Sequence, residues 1–225
     1  MIPYKLVRSR RKTVAIYITE DASVEIRAPL KMPITDIEKF IASKEMWIEK
    51  HLGRRKQLNA EKSGFTLDYG DTAALAGNIY PIRAKDGNLA GFDGQCFYLP
   101  PNLTPDKIKS AVVRIYKAAA KNIIKNRTVE YAKHMNVTPA SVRITDAKTR
   151  WGSCSGKNRI NFSWRLVMTD NNTIDYVVVH ELAHIREHNH SPRFWKIVES
   201  VLPDYRDRQK KLKLYQKRHI VQDWD

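Results

Sequence analysis

The sequence predicts an α+β protein. A small antiparallel β-rich region with one helix is expected over residues 1–100, then a helix-rich domain over residues 101–225 built around a His-Glu-x-x-His helix. Three observations carry this division. Short β-branched runs separated by turn residues fill the first part of the chain. Pro100-Pro101 breaks both strand and helix, and beyond it the apolar rhythm changes to the helical period. His180-Glu181-Leu182-Ala183-His184 lies inside an apolar stretch of helical length.

Taking the elements in order, Lys5 to Lys12 is basic and leads into Thr13-Val14-Ala15-Ile16-Tyr17-Ile18. Glu20-Asp21-Ala22 separates that run from Val24-Glu25-Ile26-Arg27-Ala28, which reads as a hairpin. Pro29 and Pro33 stop the second strand. Thr35 is a plausible N-cap for a helix whose apolar face holds Ile37, Ile41, Trp47, Ile48 and Leu52. Gly53 to Gly64 is polar and basic and reads as a loop. Asp68–Ala76, Ile79–Ala84 and Cys96–Leu99 read as short strands, with Gly77-Asn78 as a hairpin signal.

After the proline pair, Thr104 to about Met135 is helical, with Ile108, Ala111, Val112, Ile115, Ala119 and Ile123 tracing a buried stripe. Lys107, Arg114, Lys117, Lys121 and Lys125 share another face, which reads first as a solvated surface and second as a phosphate-contacting one. Val142–Thr145 and Arg159–Ser163 read as strands, with Thr149 to Gly156 as the loop between them.

Asp170-Asn171-Asn172-Thr173 is a cluster of N-cap residue types, so a helix begins there. His180 and His184 then fall about 40° apart around the axis and face the same way, the geometry of two metal-binding imidazoles. Glu181 sits beside them. The five-residue motif is common by chance; its apolar helical setting is what distinguishes this instance. A catalytic zinc site needs a third ligand, and the candidates are His188, His190 and Glu199. On a continuing helix His188 would lie roughly 12 Å along the axis from His180, too far for one ion. His190 fits if the helix ends and the chain doubles back, a reversal expected at Asn189, ahead of Pro192. Glu199, on the helical segment from Ser191 to Leu202, is the second choice.

Composition bounds the function. Hydrophobic content of 42% and charged content of 28% are ordinary for a globular domain. No apolar run is long enough to span a bilayer, and the N-terminal basic residues lack the apolar core of a secretory signal. Only Cys96 and Cys154 are present, so a cytoplasmic, reducing setting is expected. The net charge of +16 is uneven. Residues 1–100 hold 16 basic against 12 acidic residues, and residues 101–225 hold 24 against 12, so the half with the histidines carries +12. Such a field draws nucleic acid, nucleotides or acidic protein substrates.

The segments Thr149-Arg150-Trp151-Gly152-Ser153-Cys154-Ser155, Ile160 to Leu166, Tyr176 to His184, Asn189-His190-Ser191-Pro192 and Phe194-Trp195 resemble the YgjP-like metallopeptidase family, which is related to SprT-like and other zincin peptidases. The likeness extends from the Arg8–Arg27 hairpin to Pro203-Asp204-Tyr205-Arg206. It implies a zincin-like C-terminal domain, Zn2+ held by His180, His184 and His190, Glu181 as catalytic base, and a peptide or protein substrate. It also implies an edge strand beside the active-site helix that aligns the substrate, for which Arg159–Ser163 is the expected segment. Cys154 reads as a buried thiol rather than a metal-reaching switch, and Trp151, Trp164 and Trp195 as packing residues. Two alternatives stay open: a metal-dependent hydrolase of a small anion such as a nucleoside triphosphate, and a protease acting on nucleic-acid-bound proteins.

Overall fold

The computed structural model describes residues 2–63, 65–221 and 224. The chain forms two compact units, one made of the chain up to Phe65 with part of its C-terminal end, the other of Thr66–Arg218 with Trp224. Pro100-Pro101, where the sequence suggests a boundary, lies within the second unit. It ends a strand as expected, but the sheet it leaves continues into the core of the following helix: Phe97 meets Tyr116 with ring centroids 5.5 Å apart.

In the first unit β1 (Lys5–Ser9), β2 (Ala15–Ile18) and β3 (Val24–Pro29) form a sheet of order β1-β3-β2. The β2–β3 pair is the expected antiparallel hairpin, but β1 runs parallel to β3, so the sheet is mixed. Arg8 pins the strand end by donating to the carbonyls of Pro29, Leu30 and Met32 at 3.0, 3.1 and 2.8 Å. Two helices follow, not one: α1 (Ile34–Ser43) and α2 (Glu45–Ser63). The N-cap is Pro33, not Thr35. The expected loop from Gly53 is helical through Ser63, since its polar residues include good helix formers that need no core contact; Gly64 lies outside the described residues. Ile26, Ile37 and Ile48 are fully buried in this unit's core.

The second unit opens with β4 (Thr72–Leu75), β5 (Asn78–Ala84), β6 (Gly91–Phe92) and β7 (Phe97–Leu99), in the order β4-β5-β7-β6. It too is mixed, because β5 and β7 are parallel. The β4–β5 turn is made by Ala76 (φ 50°) and Gly77 (φ 93°), a two-residue loop with both residues left-handed. A Cβ on Gly77 would stand 3.1 Å from the Asp170 Cβ, so glycine lets the turn approach the segment that precedes Asn171 this closely.

The long α3 (Pro105–His134) is the spine and spans the stretch expected to be helical; Thr104 precedes it without a side-chain capping hydrogen bond. Its buried stripe drifts from the expected one: Ile108, Ala111, Val112 and Ile115 are buried, then Tyr116, Ala120 and Ile124 replace Ala119 and Ile123. A straight helix rotates slightly against any fixed spacing. Tyr116 stacks on Trp164 of a 3-10 turn (Trp164–Met168) at 5.8 Å. The third sheet holds β8 (Ser141–Thr145), β9 (Gly152–Cys154) and β10 (Arg159–Ser163), ordered β8-β10-β9. Arg159–Ser163 therefore cannot receive a substrate strand, because both of its edges are already paired. The segment read as a loop contains the edge strand instead: β9, antiparallel to β10. The helices α4 (Asn171–Ala183), α5 (Pro192–Val201) and α6 (Tyr205–Val221) follow, α6 belonging to this unit through Arg218. No described helix is long and apolar enough to cross a membrane.

Candidate metal centre

The centre is built on α4. Asp170 caps it, accepting from the Thr173 backbone N–H at 2.9 Å, and its other oxygen accepts from Tyr215 Oη at 3.0 Å and Lys211 Nζ at 2.9 Å. Thr173–Val179 and Glu181–Ala183 are all buried, so this helix packs on every side rather than along one stripe. Asp175, also buried, is held from α3 by Arg127 (3.4 Å) and from α6 by Arg208 (3.9 Å). These contacts fix the rotation of α4 about its axis, and with it the directions of His180, Glu181 and His184.

The reversal that brings in the third histidine begins earlier than Asn189. The helix ends at Ala183 with His184 as C-cap, and tight bonds from the Ile185 and Arg186 N–H groups to Leu182 and Ala183 close it. No described residue between His184 and His190 has positive φ, so the left-handed conformation anticipated at Asn189 is not used. The turn is anchored from outside: Arg186 Nη2 donates to the Met135 carbonyl, at the end of α3, at 2.6 Å. Ser191 then caps α5 through the Phe194 N–H, with Pro192 in the first turn.

This path places His190 Nε2 3.0 Å from His180 Nε2. One ligand atom from each of His180, His184 and His190 can be chosen so that all lie within 4.8 Å of one another. His188 and Glu199 are exposed and outside this cluster; the half-buried Cys154 is also outside it. Phe194, fully buried, lies beneath all three imidazoles, with centroids 4.9, 4.6 and 4.8 Å from His180, His184 and His190. Trp195 packs against His180 and His190 at 5.9 and 5.7 Å and stacks on Tyr205, so its packing borders the site.

The donor chemistry suits a metal ion. Burial, and secondarily the neighbouring His184 and His190, drive the His180 pKa down to about 3; burial also lowers that of His184. Both rings are thus neutral at pH 7, with lone pairs available. His184 Nδ1 lies 3.1 Å from the Glu187 carbonyl. A carbonyl only accepts, so Nδ1 carries the proton and Nε2 is the free lone pair. The buried Nδ1 of His180 has no hydrogen-bond partner among the described residues. Three convergent imidazoles are a donor set for zinc, copper, iron or nickel.

Glu181 is 6% exposed. Its carboxylate lies against the backbone of Gly152 in β9, where an added Cβ would come within 2.6 Å of Oε1 and 2.8 Å of Cδ. Burial raises its pKa to about 7, with Arg150 pulling in the opposite direction. Cys154, two residues along β9, is raised by burial and by the Glu181 charge. The sequence held a weak signal for this cradle: a glycine amid Trp151-Gly152-Ser153-Cys154, read only as loop. A short edge strand with one backbone contact leaves no periodicity to detect.

A family model for YgjP-like proteins, described as a metallopeptidase domain, matches residues 12–215. Among solved structures, the metallopeptidase zymogen abylysin of Pyrococcus abyssi is similar at 22% identity, covering 40% of this chain and 90% of that one with a TM-score of 0.37. The zymogen jannalysin of Methanocaldococcus jannaschii is similar at 24% identity, covering 42% and 95% with a TM-score of 0.37. None of the curated proteins compared matches the chain.

Proposed function

The chain belongs to the YgjP-like metallopeptidase family, and from that premise we propose that it is a zinc-dependent peptidase with Glu181 as general base. The observation that carries this is the convergence of His180, His184 and His190 beside a buried carboxyl. The three imidazoles would hold the ion, with His184 Nδ1 on the Glu187 carbonyl fixing the ring that ligates through Nε2. Zinc, when bound, supplies a nucleophilic water near neutral pH and polarises the scissile carbonyl.

The protein's own groups do the rest. Glu181 accepts a proton at a carboxylate oxygen and returns it to the leaving amine. Gly152 keeps the carboxylate against β9. The outer edge of β9, unpaired among the described strands, offers backbone groups to an extended peptide, a recurrent mode of strand addition. Two unpaired cysteines, Cys96 and Cys154, suit a reducing cytoplasm.

One observation favours a second substrate class. A pocket of about 330 Å3 lined by Trp195, Tyr205, Arg206, Gln209, Lys210 and Lys213 combines aromatic faces with basic groups and borders the histidine cluster through Trp195. That combination fits a nucleoside triphosphate. Zinc-loaded wild type and Glu181→Gln, each incubated with unfolded casein and with nucleoside triphosphates, separate the two. Casein cleavage lost in Glu181→Gln with zinc retained is the expected result. Metal-dependent loss of nucleotide without proteolysis would overturn the peptidase reading.

A further inference from the structure

The sheet that supplies the Glu181 cradle has a second face, and its chemistry is distinct. In β9 and β10 the register pairs Gly152 with Phe162, Ser153 with Asn161 and Cys154 with Ile160. Gly152 faces Glu181, and Phe162 and Ile160 are fully buried, so these residues mark the face turned to α4. Pleating sends Ser153 and Asn161 to the opposite face. There, Thr145, Arg150, Ser153, Asn161 and Ser163 line a pocket of about 330 Å3 that reaches the backbone of Gly152. That is room for roughly ten waters, or for a side chain with part of its hydration.

The pocket's polar groups divide into engaged and free. The Ser163 hydroxyl donates to the Ala147 carbonyl at 2.7 Å and the Thr145 hydroxyl to that of Phe162 at 3.3 Å, so both are engaged with backbone. The remaining groups are the Ser153 hydroxyl, the Asn161 amide and the Arg150 guanidinium. Arg150 is exposed and has no ion pair among the described residues, and no carboxylate lines the pocket. The nearby Asp146 is already held by Lys117 at 2.6 Å and by the Trp164 indole at 2.9 Å. Arg143 is the register partner of Asn161 and shares its face, as does Arg159 two residues before it.

We infer that this pocket is a specificity subsite for an acidic side chain, Asp or Glu, of a peptide lying along β9, with Arg150 as the charged donor. The inference rests on the peptidase reading above. A strand added to β9 alternates its side chains: those beside the residue opposite Ser153 turn toward Glu181 and the histidines. That residue itself turns into the pocket, next to a guanidinium whose fork matches a carboxylate. The acidic residue must therefore fall at one fixed distance from the cleaved bond.

The test is a cleavage-site profile. Zinc-loaded wild type, Arg150→Gln and Arg150→Glu digest a peptide mixture prepared from a whole proteome, and mass spectrometry reads the residues around each cut. Ratios between residues within one digest cancel any change in overall rate. Wild type should favour Asp and Glu at one position on the order of tenfold, the discrimination a partly solvated charged hydrogen bond supports. Arg150→Gln should erase that preference, and Arg150→Glu should replace it with Lys and Arg. Cleavage with no acidic preference, or a preference unchanged in Arg150→Gln, overturns the subsite and leaves the peptidase reading standing. No cleavage by zinc-loaded wild type overturns the peptidase reading, and the subsite with it. If Arg150→Gln instead lowers affinity for a single-stranded DNA 20-mer while the cleavage profile holds, the face is a nucleic-acid surface and the inference fails.

Discussion

Replacing Gly152 with alanine adds one methyl group where the Glu181 carboxylate rests. The new Cβ would lie 2.6 Å from Oε1, 2.7 Å from Cγ and 2.8 Å from Cδ. Ordinary carbon contacts are about 3.5–4.0 Å, so either Glu181 or β9 must shift by roughly 1 Å. Glu181 is buried and α4 is held on all sides, so the side chain has few places to go. Overpacking of this kind costs about 1–3 kcal/mol of stability. A displacement near 1 Å at a reacting group costs on the order of 100-fold in rate. Gly152→Ala should therefore cleave casein about 100-fold more slowly while keeping its zinc, because no histidine is touched. The decisive control is Gly152→Ala combined with Glu181→Gln. Once the base is removed, the added methyl should cause no further loss of activity, though the stability cost remains, since a glutamine fills the same space. Near-normal cleavage by Gly152→Ala would refute the claim that this glycine positions Glu181. Multiplying losses in the double variant would show that Gly152 acts through something other than Glu181.

Three further outcomes follow from the same geometry. Metal content after dialysis should fall in His184→Ala and His190→Ala and persist in His188→Ala; equal loss from His188→Ala would overturn the ligand assignment. In metal-free protein the raised Glu181 pKa, about 7 against 4.5 when unfolded, stabilises below pH 4.5 and is lost as pH rises through 7. The stability of Glu181→Gln relative to wild type should therefore improve across that window by at most roughly 3–4 kcal/mol, the gap between 4.5 and about 7 converted, as read by urea denaturation. A constant difference would place the carboxyl in a more solvated setting. Asp170→Ala removes the α4 cap and partners of Tyr215 and Lys211, and should lower stability by about 1–2 kcal/mol. Asp170→Asn, which keeps the capping oxygen, should recover about half, and a denaturation midpoint unchanged in Asp170→Ala would show that the cap is dispensable.

The sequence by itself determined the parts of the centre that are local along the chain. The cap at Asp170, the one-turn spacing of His180 and His184, and the need for a reversal before Pro192 are all consequences of helical period and side-chain chemistry, and they singled out His190. The long α3 and the β2–β3 hairpin were legible for the same reason: their patterns repeat over many residues. What only the tertiary structure decided are the contacts between segments distant in sequence. The reversal starts at His184 because Arg186 reaches the end of α3, 51 residues away. Phe194 underlies the three imidazoles because α5 folds back beneath them. β9 is an edge and β10 is not, because β8 takes the other side of β10 through a parallel pairing that no hairpin signal announces. Gly152, in a three-residue strand read as loop, meets Glu181 only when that edge is laid against α4. Periodicity records which face of an element is buried; which element buries it is set by packing, and there the Glu181 carboxylate finds its seat.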